Sequence, residues 1–372
     1  MVTVFCEDVF CSLLRVALGL SRDFPYNPTE QEWNSLFTLA KQQTVLSLFY
    51  EAFSNLPEPC RPPRQLLLRY AAFVESVHGL NRLMNLEAAR YTRMFEERGV
   101  QSVILKGQAN ARLYPNPLSR QAGDIDIWIP GGFVEVERLL LDMGLISKKE
   151  STKDIFHHIA FRNEHGIEIE VHHRLASGIP FRNHLFSKCL MTEIENSALV
   201  PEGFYSPSIR FALLMQLSHL QQHFFCGGFG FRHITDYFML LVHSSQEDRE
   251  YVWKRIEYFH LGRFCAAVMW VLEKAFLLPQ EYMLCQPNKR YGIFLYRGIM
   301  TGGNFGRNNP RKTIRMSVLN RWFHDRMDVL CRFSYDPLNV ILNELNYWKK
   351  TFSLIPERVR RRNITLSKRS RN

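Results

Sequence analysis

The spacing of apolar residues changes near residue 100, and this change restricts the folds that the chain can adopt. Over residues 66–95 apolar side chains recur every three or four positions, which is the period of an amphipathic helix. Short β-branched runs follow at residues 100–105 and 125–129 and predict two strands. Two further runs, at His158–Arg162 and Ile167–Val171, are joined by a turn that ends in glycine, which predicts a β-hairpin.

Helical patterns flank these strands on both sides. The string NPTEQEW predicts a helix with Asn27 as its N-cap, Pro28 at the first helical position and Glu30 completing the cap, extending to about Phe49. Helical spacing returns over residues 207–350. We therefore predict an α+β fold in which a small mixed β-sheet is flanked by N- and C-terminal helical regions. The predicted divisions are an N-terminal helical region (1–99), an α/β core (100–175), a C-terminal helical domain (176–355) and a basic, disordered tail (356–372).

The composition excludes a disordered chain and a disulfide-stapled module. Hydrophobic residues make up 46% of the sequence and charged residues 22%, so there is enough apolar surface to build ordinary cores. The eight cysteines are scattered without a CxxC pair, which favours a reducing compartment. Glu7 and Asp8 stand where a signal peptide would carry lysine or arginine, so we expect a cytoplasmic protein.

The positive charge is concentrated at the C-terminal end. The net charge is +11, and seven arginines and lysines lie in the last fifteen residues without an acid, which leaves +4 for the rest of the chain. Such a tail can bind the phosphates of a nucleic acid or an anionic membrane, although a solvated terminus is the simpler interpretation. The longest stretch without charged side chains, residues 211–231, contains six glutamine, serine and histidine residues, so we predict a buried helix and no transmembrane segment.

Two strands carry acidic residues in an alternating pattern. In GDIDIW, Asp124 and Asp126 project to the same face of a strand, and two such close anions are unfavourable unless a cation neutralises them. Oxygen ligands of this kind suit Mg²⁺ or Mn²⁺. In IEIEVHH, Glu168, Glu170 and His172 also share one face and offer a third carboxylate. The alternation alone leaves open which glutamate is the ligand, and solvated glutamates on an edge strand are the alternative.

A possible phosphate site lies just before the first acidic strand. Lys106, Gly107 and Gln108 close a strand and open a predicted helical turn, whose backbone N–H groups favour an anion. Arg120 precedes Asp124 by four residues and is a candidate guanidinium clamp for triphosphate oxygens. The GxxxxGK[ST] and GxGxxG patterns are both absent from the sequence, so this is not a P-loop or a dinucleotide fingerprint.

Together these motifs resemble those of an uncharacterised bacterial nucleotidyltransferase family within the DNA polymerase β-like superfamily. The resemblance lies in LKGQANARLYPNPLSRQAGDIDIWI and HHIAFRNEHGIEIEVHHRL. The matching positions are Lys106-Gly107, Leu113-Tyr114-Pro115, Arg120, Asp124, Asp126, His157-His158 and Glu170-Val171-His172. Two positions depart from the family pattern: Gln108 replaces the usual glycine or serine, and His173 replaces an aromatic residue.

The resemblance implies a polymerase β-like core and an enzymatic activity. The implied reaction is metal-dependent transfer of a nucleoside monophosphate from a nucleoside triphosphate, expected to be ATP, to an unidentified acceptor hydroxyl, with release of pyrophosphate. Asp124, Asp126 and Glu170 would hold Mg²⁺ or Mn²⁺, and the family register selects Glu170 over Glu168. The residues expected on the substrate side are His158, His172, Arg232 and Asp236. Two alternatives remain open: a catalytically inactive binding protein with the same fold, and an RNA-directed (tRNA-end) nucleotidyltransferase that uses the basic tail.

Two further pairs have helical spacing. His219 and His223 are four residues apart, but without a third ligand we interpret them as core or surface histidines rather than a zinc site. Arg232 and Asp236 are also four apart and predict an ion pair along a helix, with substrate contact if that helix lines a cleft.

Overall fold

A computed structural model describes residues 4–147, 157–175, 183–226 and 228–303, with single positions between 326 and 348. The described helices are α1 (Val4–Ala17), α2 (Glu30–Gln42), α3 (Leu46–Phe53), α4 (Arg64–Glu96), α5 (Gln108–Ala111), α6 (Phe133–Asp142), α7 (Asn183–Ile194), α8 (Ile209–Cys226), α9 (Phe231–Val242), α10 (Gln246–Tyr258), α11 (Gly262–Phe276) and α12 (Lys289–Gly302). The described strands are β1 (Val103–Ile104), β2 (Asp124–Trp128), β3 (His158–Arg162), β4 (Glu168–His172), β5 (Ala198–Leu199) and β6 (Tyr205–Ser206). The predicted α+β class is confirmed. The predicted tail, residues 356–372, lies outside the described residues.

The start of α2 differs from the sequence prediction. The N-cap is Thr29 rather than Asn27, because the Thr29 hydroxyl accepts from the backbone N–H of Glu32 while the Glu32 carboxylate accepts from the backbone N–H of Thr29. This reciprocal pair satisfies two N–H groups that the helix leaves unpaired. The helix also ends earlier than Phe49, because Thr44 has a positive φ of 56° that interrupts α2 before α3 begins.

Helix α4 supports the back of the sheet. It is 33 residues long, about 50 Å at 1.5 Å per residue, and coincides with the predicted helical stripe. The chain turns immediately after it at Gly99, whose φ of 72° is accessible to glycine at little cost. The C-terminal half of α4 shares one buried cluster with the apolar face of the sheet. This cluster includes Met84, Ala88, Tyr91 and Phe95 from the helix and Ile125, Ile127, Ile169 and Val171 from the strands.

Within the part of the chain that the structure describes, the main sheet has four strands in the order β1-β2-β4-β3. Strands β2 and β4 are parallel neighbours, whereas β1 pairs with β2 and β3 pairs with β4 in antiparallel fashion. The predicted hairpin is therefore present as β3 and β4. Because the isoleucines and valine of β2 and β4 are fully buried against α4 and α6, the polar residues between them face the opposite side of the sheet. This polar face is where the acidic motifs meet.

The two helical regions share a second core. Phe10 of α1 packs against Phe231 of α9 with ring centroids 5.0 Å apart. The Gln43 side chain donates to the carbonyl oxygen of Ile299 at 2.9 Å and accepts from the backbone N–H of Phe231 at 3.0 Å. Residues from α1 to α3 and from α8 to α12 belong to one buried cluster. The N-terminal helices are thus part of the frame that positions α8 and α9, and the predicted division at residue 99 remains a prediction.

Helix α8 accounts for most of the uncharged stretch of the sequence. Its side chains are largely buried between the sheet and the C-terminal helices. Across the described ranges, no helix combines the length and the apolar character needed to cross a membrane.

Candidate active site

Strand register places two acidic side chains side by side. Asp126 on β2 is opposite Glu170 on the parallel neighbour β4, and Asp124 is opposite Glu168. Because side chains alternate along a strand, all four carboxylates project from the polar face of the sheet. Asp126 is 1% exposed, so one of these charges is fully buried.

The two glutamates of β4 have different surroundings. Glu168 lies beside the hairpin, where Arg162 donates to it at 3.0 Å and 44% of its side chain is exposed. The side chain of Glu170 is 19% exposed and lines a cavity of about 280 Å³ together with Asp124 and Asp126. Glu170 is therefore the glutamate that shares this cavity with the two aspartates.

The cavity has two walls of different chemistry. One wall is the polar face of the sheet with Lys106 and Gly107 beside it, and the other consists of helices α8 and α9. The helical wall contributes amide, imidazole and guanidinium groups. These are Gln216, His219, Gln222, His223, Arg232 and His233. A ligand in this space has Asp124, Asp126 and Glu170 on one side and these groups, together with Asp236 of α9, on the other.

Asp126 is held by two partners. Lys106 Nζ lies 3.1 Å from Asp126 Oδ1, and His172 Nε2 lies 2.9 Å from the same oxygen. Burial alone would raise the pKa of Asp126, but Lys106 and the hydrogen bond from His172 lower it below the usual value. The charge of Asp126 and burial together raise the pKa of Asp124. The sheet wall therefore contains one strongly stabilised carboxylate beside one whose charge is disfavoured.

The donor set of the sheet wall fits a divalent cation. One ligand atom from each of Asp126, Glu170 and His172 lies within 4.8 Å of the other two. The second oxygen of Asp126, Oδ2, is buried and has no hydrogen-bond partner among the described residues, which is unfavourable for a carboxylate unless a cation binds it. Asp124 lines the same cavity but lies outside this compact group, so its role as a ligand remains a prediction.

Arg120 forms a buried pair with Asp236. Its Nε and NH2 atoms each donate to Asp236 at 2.7 Å, and the Tyr114 hydroxyl donates to the same carboxylate at 2.7 Å. The predicted helical ion pair between Arg232 and Asp236 is wrong, because Asp236 is occupied by this bidentate contact from a residue 116 positions earlier. Both members of the pair line the cavity, but Arg120 has only one terminal nitrogen left for a ligand.

Arg232 lies in the first turn of α9 and also faces the cavity. Its NH1 donates to the backbone carbonyl oxygen of Gln121 at 2.8 Å, while its buried Nε has no partner among the described residues. Burial and the neighbouring Arg120 lower the pKa of Arg232, so an anion at this position would stabilise its charge. Of the two arginines, Arg232 has the more accessible hydrogen-bonding capacity.

The two positions at the start of α5 that the sequence predicts to bind nucleotide differ in location. Gly107 lines the cavity with a φ of 62°, whereas Gln108 is 2% exposed and its Nε2 contacts Met84 Sδ at 3.7 Å. Helix α5 has only four residues, which limits its contribution to anion binding. The side chain of Gln108 therefore packs in the interior, and its proposed contact with a nucleotide remains a prediction.

The sequence did not identify three histidines as site residues. His219 and His223 of α8 and His233 of α9 line the cavity, and His223 Nε2 lies 2.8 Å from His219 Nε2. Lys106 Nζ lies 3.4 Å from His219 Nε2 and so connects this group to Asp126. Burial lowers the pKa of His223 to about 4 and those of the other two well below the usual value. The spacing of His219 and His223 was visible in the sequence, but their facing the acidic strands was not.

Paired carboxylates beside cationic side chains in one cavity are typical of enzymes that act on phosphate groups with a divalent metal. Residues 29–276 match the family model described as uncharacterised nucleotidyltransferase. The match covers more than half of the chain, so the chain belongs to this family, as the sequence motifs predicted. It extends from α2 to α11 and includes every residue that lines the cavity. No match was found among curated proteins or among solved structures.

Proposed function

We propose that this protein is a metal-dependent nucleotidyltransferase with a polymerase β-like core. It transfers a nucleoside monophosphate from a nucleoside triphosphate, expected to be ATP, to an acceptor hydroxyl and releases pyrophosphate. The observation that carries the proposal is the pairing of Asp126 with Glu170 across β2 and β4 in a cavity that also contains Arg232 and Lys106. Family membership supports the same class of reaction.

The charges around the cavity support a metal–nucleotide complex. Among the described residues, four carboxylates line it against three lysine and arginine side chains, so its net charge is −1 with neutral histidines. A triphosphate carrying a charge of about −4 would be repelled by this cavity alone. Two divalent cations would change the net charge of the cavity to about +3 and allow the triphosphate to bind. Charge balance therefore favours metal-dependent binding.

Each residue has a distinct proposed role. Asp126 and Glu170 would hold a divalent metal with Asp124, and the metal when bound would neutralise charge on the triphosphate. Arg232 and Lys106 donate to phosphate oxygens, and Glu170 accepts the proton of the acceptor hydroxyl. The hydroxyl oxygen forms a bond to the α-phosphorus as the bond from that phosphorus to pyrophosphate breaks.

A matched pair of substitutions tests the proposal. Pyrophosphate release is measured with each nucleoside triphosphate, Mg²⁺ and candidate acceptor hydroxyls for the wild type, Glu170→Gln and Glu168→Gln. We expect Glu170→Gln to lower kcat by at least about a hundredfold, because it removes a charge that acts on the reacting groups. Glu168→Gln changes the same residue type two positions away at the exposed hairpin edge, so its kcat should stay within about twofold of the wild type.

The outcomes separate this function from the alternatives. Equal rates in the wild type and Glu170→Gln would refute the assigned site. No pyrophosphate release with any nucleotide, but measurable nucleotide binding, would favour the catalytically inactive binding protein. Activity only on RNA ends would favour the RNA-directed alternative.

A further inference from the structure

Histidines accompany the carboxylates on the polar face of the sheet. In the antiparallel pair of β3 and β4, His158 is opposite His172, and two residues before His172 on the same strand face lies Glu170. Strand geometry therefore directs both imidazoles toward the carboxylate pair. His157, next to the start of β3, places a third ring within 4.5 Å of His158 and 5.5 Å of His172, measured between ring centroids.

The distances form a continuous set of nitrogen and oxygen donors. His158 Nδ1 lies 3.5 Å from Glu170 Oε2, and His172 Nε2 lies 3.6 Å from the same oxygen. Ligand atoms of His157, His158 and His172 lie within 4.8 Å of one another, as do those of Asp126, Glu170 and His172. Because donors bound to one ion at about 2.1 Å are at most about 4.2 Å apart, small side-chain adjustments bring either set onto one ion.

Two donor atoms in this group make no hydrogen bond. His158 Nδ1 and Asp126 Oδ2 are buried and without a hydrogen bond among the described residues. Buried polar atoms without a hydrogen bond are uncommon in folded proteins, and one metal ion at this position would satisfy both atoms.

Imidazole nitrogen changes the metal that a site prefers. Carboxylate and water ligands suit Mg²⁺, whereas imidazole suits zinc, iron and other first-row transition metals. We propose that His158 and His172, together with Glu170 and Asp126, form a mixed nitrogen–oxygen site for a first-row divalent transition metal in preference to Mg²⁺. The inference rests on the proposed function in one respect: it assigns the metal class of the same catalytic carboxylates.

Metal binding in the absence of nucleotide tests this directly. Metal-free, full-length protein is titrated with Mn²⁺, free Mn²⁺ is followed by electron paramagnetic resonance, and Mg²⁺ or Zn²⁺ is added as competitor. We expect Zn²⁺ to displace Mn²⁺ at near-stoichiometric amounts and Mg²⁺ only at about a hundredfold excess or more. Pulsed resonance should detect coupling of bound Mn²⁺ to imidazole nitrogen in the wild type.

Substitutions identify the ligand. His158→Ala should weaken Mn²⁺ binding by at least about tenfold, while His184→Ala, at an exposed position on α7, should leave it unchanged. His158→Asn keeps a polar side chain of intermediate size and serves as the second variant if the alanine form is poorly folded. Circular dichroism verifies the fold of each variant, and the nitrogen coupling of the wild type does not depend on any variant.

The results distinguish this inference from the proposed function. Absence of nitrogen coupling, or equal displacement by Mg²⁺ and Zn²⁺, would overturn the transition-metal site, even if pyrophosphate is released with Mg²⁺. The protein could instead show nitrogen coupling to Mn²⁺ that is lost in His158→Ala, yet release no pyrophosphate with any nucleotide. That result would support the metal site and reject the proposed function.

Discussion

Asp124→Asn and Asp126→Asn are expected to change the stability of the metal-free protein in different directions. Lys106 and His172 overcome the effect of burial and lower the pKa of Asp126, so the folded state favours its charge. Asp126 and burial raise the pKa of Asp124, so the folded state disfavours that second charge. The same chemical change thus removes a favourable charge at one position and an unfavourable charge two residues away.

The magnitude for Asp126→Asn follows from its two contacts. Lys106 Nζ and His172 Nε2 lie 3.1 and 2.9 Å from Asp126 Oδ1. A hydrogen bond to a charged group contributes about 1.5–3 kcal/mol and a neutral one about 1 kcal/mol. Because asparagine keeps one acceptor oxygen, the loss is about 1 kcal/mol for each contact and about 2 kcal/mol in all. For Asp124→Asn we expect no loss of stability.

Urea unfolding at pH 7 with a chelator measures both variants against the wild type. The charge of Asp126 stabilises the folded state fully above the unfolded-state pKa of 3.8, and this stabilisation is lost as the pH falls toward the lower folded-state pKa. The difference between the free energies of unfolding of the two variants should therefore narrow in acid. Equal free energies of unfolding for the two variants at pH 7, or a less stable Asp124→Asn, would refute the electrostatic reasoning.

Four further changes have defined outcomes. Asp236→Ala should lower the free energy of unfolding by about 3–5 kcal/mol in urea, because it leaves the buried Arg120 guanidinium unpaired. Arg232→Gln should raise the KM for nucleoside triphosphate in the pyrophosphate assay by about tenfold, because a cavity cation is lost. His223→Gln should reduce the loss of stability between pH 6.5 and 4, because burial lowers the pKa of His223 to about 4 and unfolding then takes up a proton. Mg²⁺ at about a hundred times its Kd should raise the calorimetric stability of the wild type by about 2.7 kcal/mol, and that of Asp126→Asn by much less.

Contrary results are equally specific for each change. A loss below about 1 kcal/mol in Asp236→Ala would mean that the buried pair contributes no more than an exposed one. An unchanged KM in Arg232→Gln would exclude that guanidinium from the triphosphate site. If the free energy of unfolding of His223→Gln had the same pH slope as that of the wild type, the burial of that imidazole would be contradicted. Equal stabilisation of the wild type and Asp126→Asn by Mg²⁺ would contradict the metal assignment.

Local sequence patterns predicted the elements of the fold well. The alternation in GDIDIW and IEIEVHH was sufficient to predict strands with one apolar and one acidic face, because a two-residue period matches the pleat of a strand and not the turn of a helix. The cap of α2 was missed even though Thr29 and Glu32 have capping-box spacing, because Asn27 followed by Pro28 is also a common helix start. Competing local signals of similar strength are resolved only by the packed structure.

The partners of buried charges were less predictable. Arg120 and Asp236 are separated by 116 positions, and no local rule connects them, whereas the helical spacing of Arg232 and Asp236 suggested a different pair. In the same way, the spacing of His219 and His223 predicted that both lie on one face of a helix, but it did not predict that this face meets the acidic strands. Tertiary packing determines which face of α8 and α9 meets the acidic strands, and that packing involves residues from both ends of the chain.

The shared helical core has a consequence for where the site can be disturbed. Asp124, Asp126 and Glu170 come from the sheet. The opposite wall comes from α8 and α9, whose positions depend on contacts such as Phe10 with Phe231. A fragment limited to residues 100–175 would carry the motif but lack the cavity wall that α8 and α9 form. A substitution in α1, remote from the cavity, can therefore alter the cavity by widening the gap between its two walls.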